Sequence, residues 1–180
     1  MKSLKKIVST FVVALVLGLA LTSCKGYNFY NEFVEAGADI EKDNIFEVLT
    51  LEQVKTKIEN DETFVLLYGT AESSSCVNVV TSLQAQAEYL EEETDTIYFM
   101  DATDYIESSK KRKEIREALN IKDPMDSLSD APVIVIYKKG KVDIDTSNTE
   151  STRTKKFLSD SGAVQYASLA SYIFREILAE

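Results

Sequence analysis

Apolar positions along the chain fall into blocks of two kinds. Thr63–Tyr68 (TFVLLY), Thr96–Met100 (TIYFM) and Ala131–Tyr137 (APVIVIY) are short, nearly unbroken apolar runs, as expected of strands buried on both faces. Ile45–Leu49 predicts a further short strand. Val142–Asp145 alternates after the turn Lys138-Lys139-Gly140-Lys141 and predicts a hairpin partner. Between these lie helical patterns. Leu51–Asn60 has Leu51, Val54 and Ile58 on one face. Ser74–Glu92 follows, then Glu107–Asn120 with Ile115, Ala118 and Leu119 inward. Ala163–Leu178 closes the chain with Val164, Ala167, Leu169, Ile173, Phe174 and Ile177 as apolar positions. The order β α β α β α β β α predicts parallel βαβ units and an antiparallel closing hairpin. That is a mixed central sheet between helical layers, a three-layer α/β/α sandwich in one domain, residues 45–180. Residues 146–162, rich in Ser and Thr, are long for a connection, a length usually functional or disordered.

Ahead of this domain the pattern changes. Lys2, Lys5 and Lys6 precede the uncharged apolar run Ile7–Leu21, then Thr22, Ser23 and Cys24. Fifteen apolar residues are fewer than the roughly 20 a membrane span needs and suit the core of a signal peptide. The string Leu21-Thr22-Ser23-Cys24 resembles the bacterial lipobox. The resemblance implies cleavage after residue 23 and lipidation of Cys24, so that the protein is held to a bacterial membrane on its extracytoplasmic side. Residues 24–44 are then a lipidated tether, polar but carrying Tyr27, Phe29, Tyr30 and Phe33. Two readings stand for these rings: a tether with a short helix near 31–36, or a cluster lying in the membrane interface.

Charge narrows the function. Acids outnumber bases 30 to 20, which disfavours nucleic acid as a partner. Cleavage before Cys24 would remove three lysines and no acid, making the mature chain more acidic still. No histidine is present, so His-based triads, bases and metal ligands are excluded. No Gly-rich phosphate loop occurs, and neither a cofactor nor a metal is expected. Asp143-x-Asp145-x-Ser147 has the start of a calcium loop, but Asn148 and Thr154 stand where its glycine and final acid belong. Acids alternating on an edge strand explain it better. The basic run Lys110–Lys113 reads as a solvated helix face.

With Cys24 blocked by lipid, Cys76 is the one free thiol. Its context, TFVLLYGTAESSSCVNVV, together with APVIVIYKKGKV downstream, resembles the thioredoxin-like superfamily. There a buried strand leads through a short loop into a Cys-x-x-Cys pair that opens a helix, and a cis-proline precedes an apolar strand and a Lys-x-Gly turn. The resemblance covers about Ile45–Val142 and the last helix. It implies the motif Ser73, Ser74, Ser75, Cys76 and a peptide groove at Ala131 and Pro132, with Pro132 cis. Three positions depart from the family: Ser73 replaces the first cysteine, Glu72 the preceding tryptophan, and Leu67 the buried acid. The string YGTAESSSC resembles small extracytoplasmic thioredoxin-like proteins, including the bacteriocin transport accessory type.

Exchange begins with attack by a thiolate, favoured at a helix N-terminus. A serine without a base cannot replace it, so the two-cysteine cycle cannot run within this chain. Ser73 reads as an N-cap. Cys76 shares an apolar stripe with Val80, Leu83, Ala87 and Leu90, which reads as a core position, the alternative being a catalytic monothiol. The expectation is an extracytoplasmic accessory module that binds a peptide or protein. The alternatives are a monothiol oxidoreductase or isomerase using Cys76, and a structural surface lipoprotein.

Overall fold

The computed structural model describes residues 27–90 and 96–178. The signal segment, Cys24 and the end of the helix expected to reach residue 92 lie outside them. Among the described residues, five strands form one mixed sheet: β1 Phe46–Val48, β2 Phe64–Gly69, β3 Ile97–Asp101, β4 Val133–Lys138 and β5 Lys141–Asp145. Their order is β1-β3-β2-β4-β5. β3 runs parallel to both β1 and β2, while β4 is antiparallel to β2 and β5. Six helices flank the sheet: α1 Phe29–Glu35, α2 Leu51–Glu59, α3 Ser74–Leu90, α4 Thr103–Ile106, α5 Ser109–Leu119 and α6 Tyr166–Tyr172, the last continuing as a π-helical turn, Ile173–Ile177.

The apolar runs become strands because successive side chains serve opposite cores. From β2, Val65 and Leu67 enter the core shared with α1, α3 and α6. Phe64, Leu66 and Tyr68 enter the core shared with α2 and α5. Helix starts are capped locally. Thr50 and Gln53 form a reciprocal capping box on α2, and Ser108 accepts from the Lys111 N–H on α5. Gly140 turns β4 into β5 at φ +67°, where a side chain would fall on the Ile58 carbonyl oxygen.

The short helix expected near 31–36 is present as α1, Phe29–Glu35, but its rings Phe29 and Phe33 are not laid open for a membrane interface. Both are buried, and both rings pack on Phe99 of β3, at 4.9 and 5.4 Å between centroids. The physical reason is that Phe29 and Phe33 pack with Phe46 of β1 and Phe99 of β3 into one aromatic cluster within the core. The Ser/Thr-rich segment 146–162 is likewise anchored. Thr154 is fully buried, and its hydroxyl donates to the Asp145 carbonyl at 2.9 Å. A 3₁₀ turn at Thr154–Phe157 and a bridge between Leu158 and Val164 close the segment back onto α6.

Candidate functional site

The site is built where β2 stops. After Gly69 the chain turns, with Ser73 N–H donating to the Thr70 carbonyl at 3.2 Å, and enters α3. Ser73 caps that helix: its hydroxyl accepts from the Cys76 N–H at 3.4 Å and its carbonyl from the Val77 N–H at 3.0 Å. The same hydroxyl donates to the Asp130 carbonyl at 3.2 Å. One buried serine thus holds the helix start against the segment that leads into Pro132. Ser74 is exposed and Ser75 half-buried.

Cys76 follows on the inward side and is fully buried. A Cβ on Gly69 would lie 2.5 Å from its Sγ and 3.1 Å from the Pro132 Cβ, so glycine is what lets strand, thiol and proline meet. Burial pushes the thiol up to about 12; the Thr70 backbone opposes this weakly, and Asp101 adds to it. Leu67 sits fully buried on the same face and offers no carboxylate.

The expected juxtaposition of Pro132 with the motif is present, but its expected cis bond is not. No peptide bond among the described residues is cis. The Ala131–Pro132 bond takes the trans form that X–Pro bonds favour by about 0.5–1 kcal/mol. From it the chain passes directly into β4, where Val133 pairs with Tyr68.

Three residues that sequence reasoning missed complete the surroundings. Asp101 ends β3 beside Gly69 and accepts from Thr103 N–H and Oγ1 at 3.2 and 2.8 Å; burial nevertheless raises its pKa. Tyr27 stacks on Phe99, and burial followed by the charge of Asp101 raises its pKa. Tyr166 is pushed up to about 12 by burial and then by Cys76. The hydroxyls of Tyr27 and Tyr166 are buried without a hydrogen-bond partner. Asp101 was legible in principle, since sites in α/β sheets gather at the carboxyl ends of parallel strands. The tyrosines carried no such signal.

Beyond Pro132 the surface opens into a cavity of about 350 Å³. Its walls come from the 123–133 segment, the end of β5 at Thr146 and Ser147, and Val164 and Tyr166 before and at the start of α6. The suspected calcium-loop acids are engaged elsewhere. Asp143 pairs with Arg153, and Asp145 accepts from the Lys122 and Ser147 N–H groups. Among the described residues no group of three or more acids or cysteines is placed to hold a metal ion. No protein-family model matches the chain, and no curated protein matches it.

Proposed function

We propose that the chain is a lipid-anchored, extracytoplasmic member of the thioredoxin-like superfamily that has given up disulfide exchange and binds an extended peptide or protein segment beside Pro132. One observation carries the reading. The position that would hold the attacking thiolate is Ser73, buried and committed to the helix cap and to Asp130. Cys76, the thiol that remains, lies sealed beneath Gly69. The mixed sheet and the meeting of Gly69, Cys76 and Pro132 support the family; the trans Pro132 departs from it. Burial of Cys76 also weighs against the monothiol reading, since a thiol that titrates near 12 holds little thiolate at neutral pH.

The groove suits a segment added by backbone hydrogen bonds in the manner of an extra strand. Titrating isotopically labelled protein with a neutral extended peptide tests this. The expected result is amide shifts centred on Ala131, Val133 and Ser147; shifts spread elsewhere, or none, would remove the reading. The anchor has its own test. Intact-mass measurement on membrane-purified protein should find a chain beginning at an acylated Cys24, and recovery of unmodified protein beginning at Met1 would overturn it.

A further inference from the structure

The fold begins close to the residue expected to carry the lipid. The ring of Tyr27 already stacks on Phe99 of β3 at 5.7 Å. Phe29 follows, buried against Phe33, Phe46 and Phe99. From Tyr27 onward the chain is thus fixed to the sheet. Cys24 stands three residues earlier in the sequence. An extended chain spans at most about 3.6 Å per residue, so whatever path Lys25 and Gly26 take, the Cys24 Cα lies within about 11 Å of the Tyr27 Cα. Tyr27 also marks one end of the sheet. Phe99 pairs with Leu67, and two residues on these strands stop at Asp101 and Gly69. Burial raises the Tyr27 pKa, and Asp101, Glu32, Cys76 and Glu72 add to the rise. This is the end where Gly69, Cys76 and Pro132 meet. The opposite end holds the turn between β4 and β5, where the Gly140 N–H donates to the Glu62 carbonyl at 3.0 Å. Along β2, Phe64–Gly69, the two ends are roughly 17 Å apart.

Resting on the lipid anchor proposed above, we infer that the domain stands directly on the membrane surface, with the end of the sheet that bears Tyr27, Glu72 and the Ser73–Cys76 turn toward it. Acyl chains on Cys24 hold that residue where headgroups meet hydrocarbon. The headgroup layer is only about 5–7 Å deep on each side. A span of about 11 Å leaves no slack for the domain to turn its far end to the bilayer. Charge does not do the orienting. Glu32 and Glu72 are exposed and would be repelled by anionic headgroups, so the short span is what holds this end down. The groove beside Pro132 opens at the same end, where β4 starts, two strands across from β3. A segment that enters the groove must therefore be presented at the membrane surface.

The test uses the full lipidated chain in phosphatidylcholine vesicles that carry a nitroxide quencher on some of their headgroups. A fluorophore is attached at Glu72→Cys or at Lys141→Cys, both exposed positions at opposite ends of the sheet. Wild-type protein taken through the same labelling is the blank for Cys76, and circular dichroism matching wild type shows that each variant is folded. Flotation with the vesicles and intact mass are read on the same samples. Quenching should be about threefold or more stronger at Glu72→Cys, because the two heights differ by roughly 17 Å, more than the depth of the headgroup layer. A flexible Gly/Ser linker of about 16 residues inserted between Gly26 and Tyr27 adds a coil of about 20–24 Å and should bring the two positions within about 1.5-fold of each other. Equal quenching, or stronger quenching at Lys141→Cys, in protein that floats with the vesicles would overturn the inference and leave the anchor standing. A difference that survives the linker would overturn the role given to the short span. Protein that stays off the vesicles, with an unmodified mass beginning at Met1, would overturn the anchor and the inference together.

Discussion

Pro132 separates two surfaces with opposite properties. Toward β2 it faces a sealed interior, where Gly69, Cys76 and Ser73 meet with no room for one more carbon. Toward the 123–130 segment it faces an open, acid-walled cavity. The sealed side is tuned for packing: its thiol is protonated, its serine is spent on two hydrogen bonds, and Leu67 places no acid there. The open side keeps free polar groups at its rim. Stability and recognition are thus divided between the two sides of a single proline, and substitutions on each side should behave differently.

The largest effect belongs to the sealed side. Phe33→Ala should cost about 3–5 kcal/mol, the range for deleting a buried aromatic ring, measured by chemical denaturation. A loss below about 1 kcal/mol would show that α1 is not part of the core and would return residues 27–36 to a tether. Gly69→Ala should cost roughly 1–3 kcal/mol by overpacking, and Cys76→Ala in the same chain should relieve part of it, because the closest clash is with Sγ. Additive losses would break that link.

Alkaline pH sharpens the contrast next. Folded Cys76 keeps its proton to about 12, against 9.0 for an ordinary thiol. Between those values the unfolded chain has lost a proton that the folded chain retains. Raising pH therefore destabilises the fold, by up to about 1.4 kcal/mol per unit from pH 9 upward. Tyr166, at about 12 against 10.0, acts in the same direction from pH 10. Denaturation at pH 8, 9.5 and 10.5 should show the loss, and Cys76→Ala should remove the part that begins at pH 9. The smallest effects compare the two sides directly. Ser73→Ala should cost about 1 kcal/mol through the lost cap, whereas Asp126→Asn, at an exposed position, should stay within about 0.5 kcal/mol. A destabilising Asp126→Asn would mean that the groove wall is structural.

Much of this architecture could be read along the chain because buried strands have a strong signature. TFVLLY, TIYFM and VIVIY each fill two cores at once, so they hold almost no polar residue. The stripe from Cys76 to Ala87 gave the thiol's burial for the same reason. The burial of Phe29 and Phe33 was not legible because they sit on a two-turn helix among polar neighbours, too short for periodicity to speak. The trans bond at Pro132 was not legible for a different reason: a proline before a strand fits either isomer, and the local sequence does not choose between them. The groove joins residues 123–133, 146–149 and 164–166, segments brought together by the sheet and not by any local pattern.

Cys76, the one cysteine among the described residues, is closed to chemistry in the folded protein. The direct measurement is the rate at which native protein reacts with a small aromatic disulfide at neutral pH, followed by absorbance and compared with the same protein in denaturant. Native Cys76 should react at least about 100-fold more slowly than the unfolded thiol, since it is buried and almost wholly protonated. Rapid, stoichiometric modification of Cys76 in the folded chain would contradict the sealed site and favour a monothiol enzyme over a binding module.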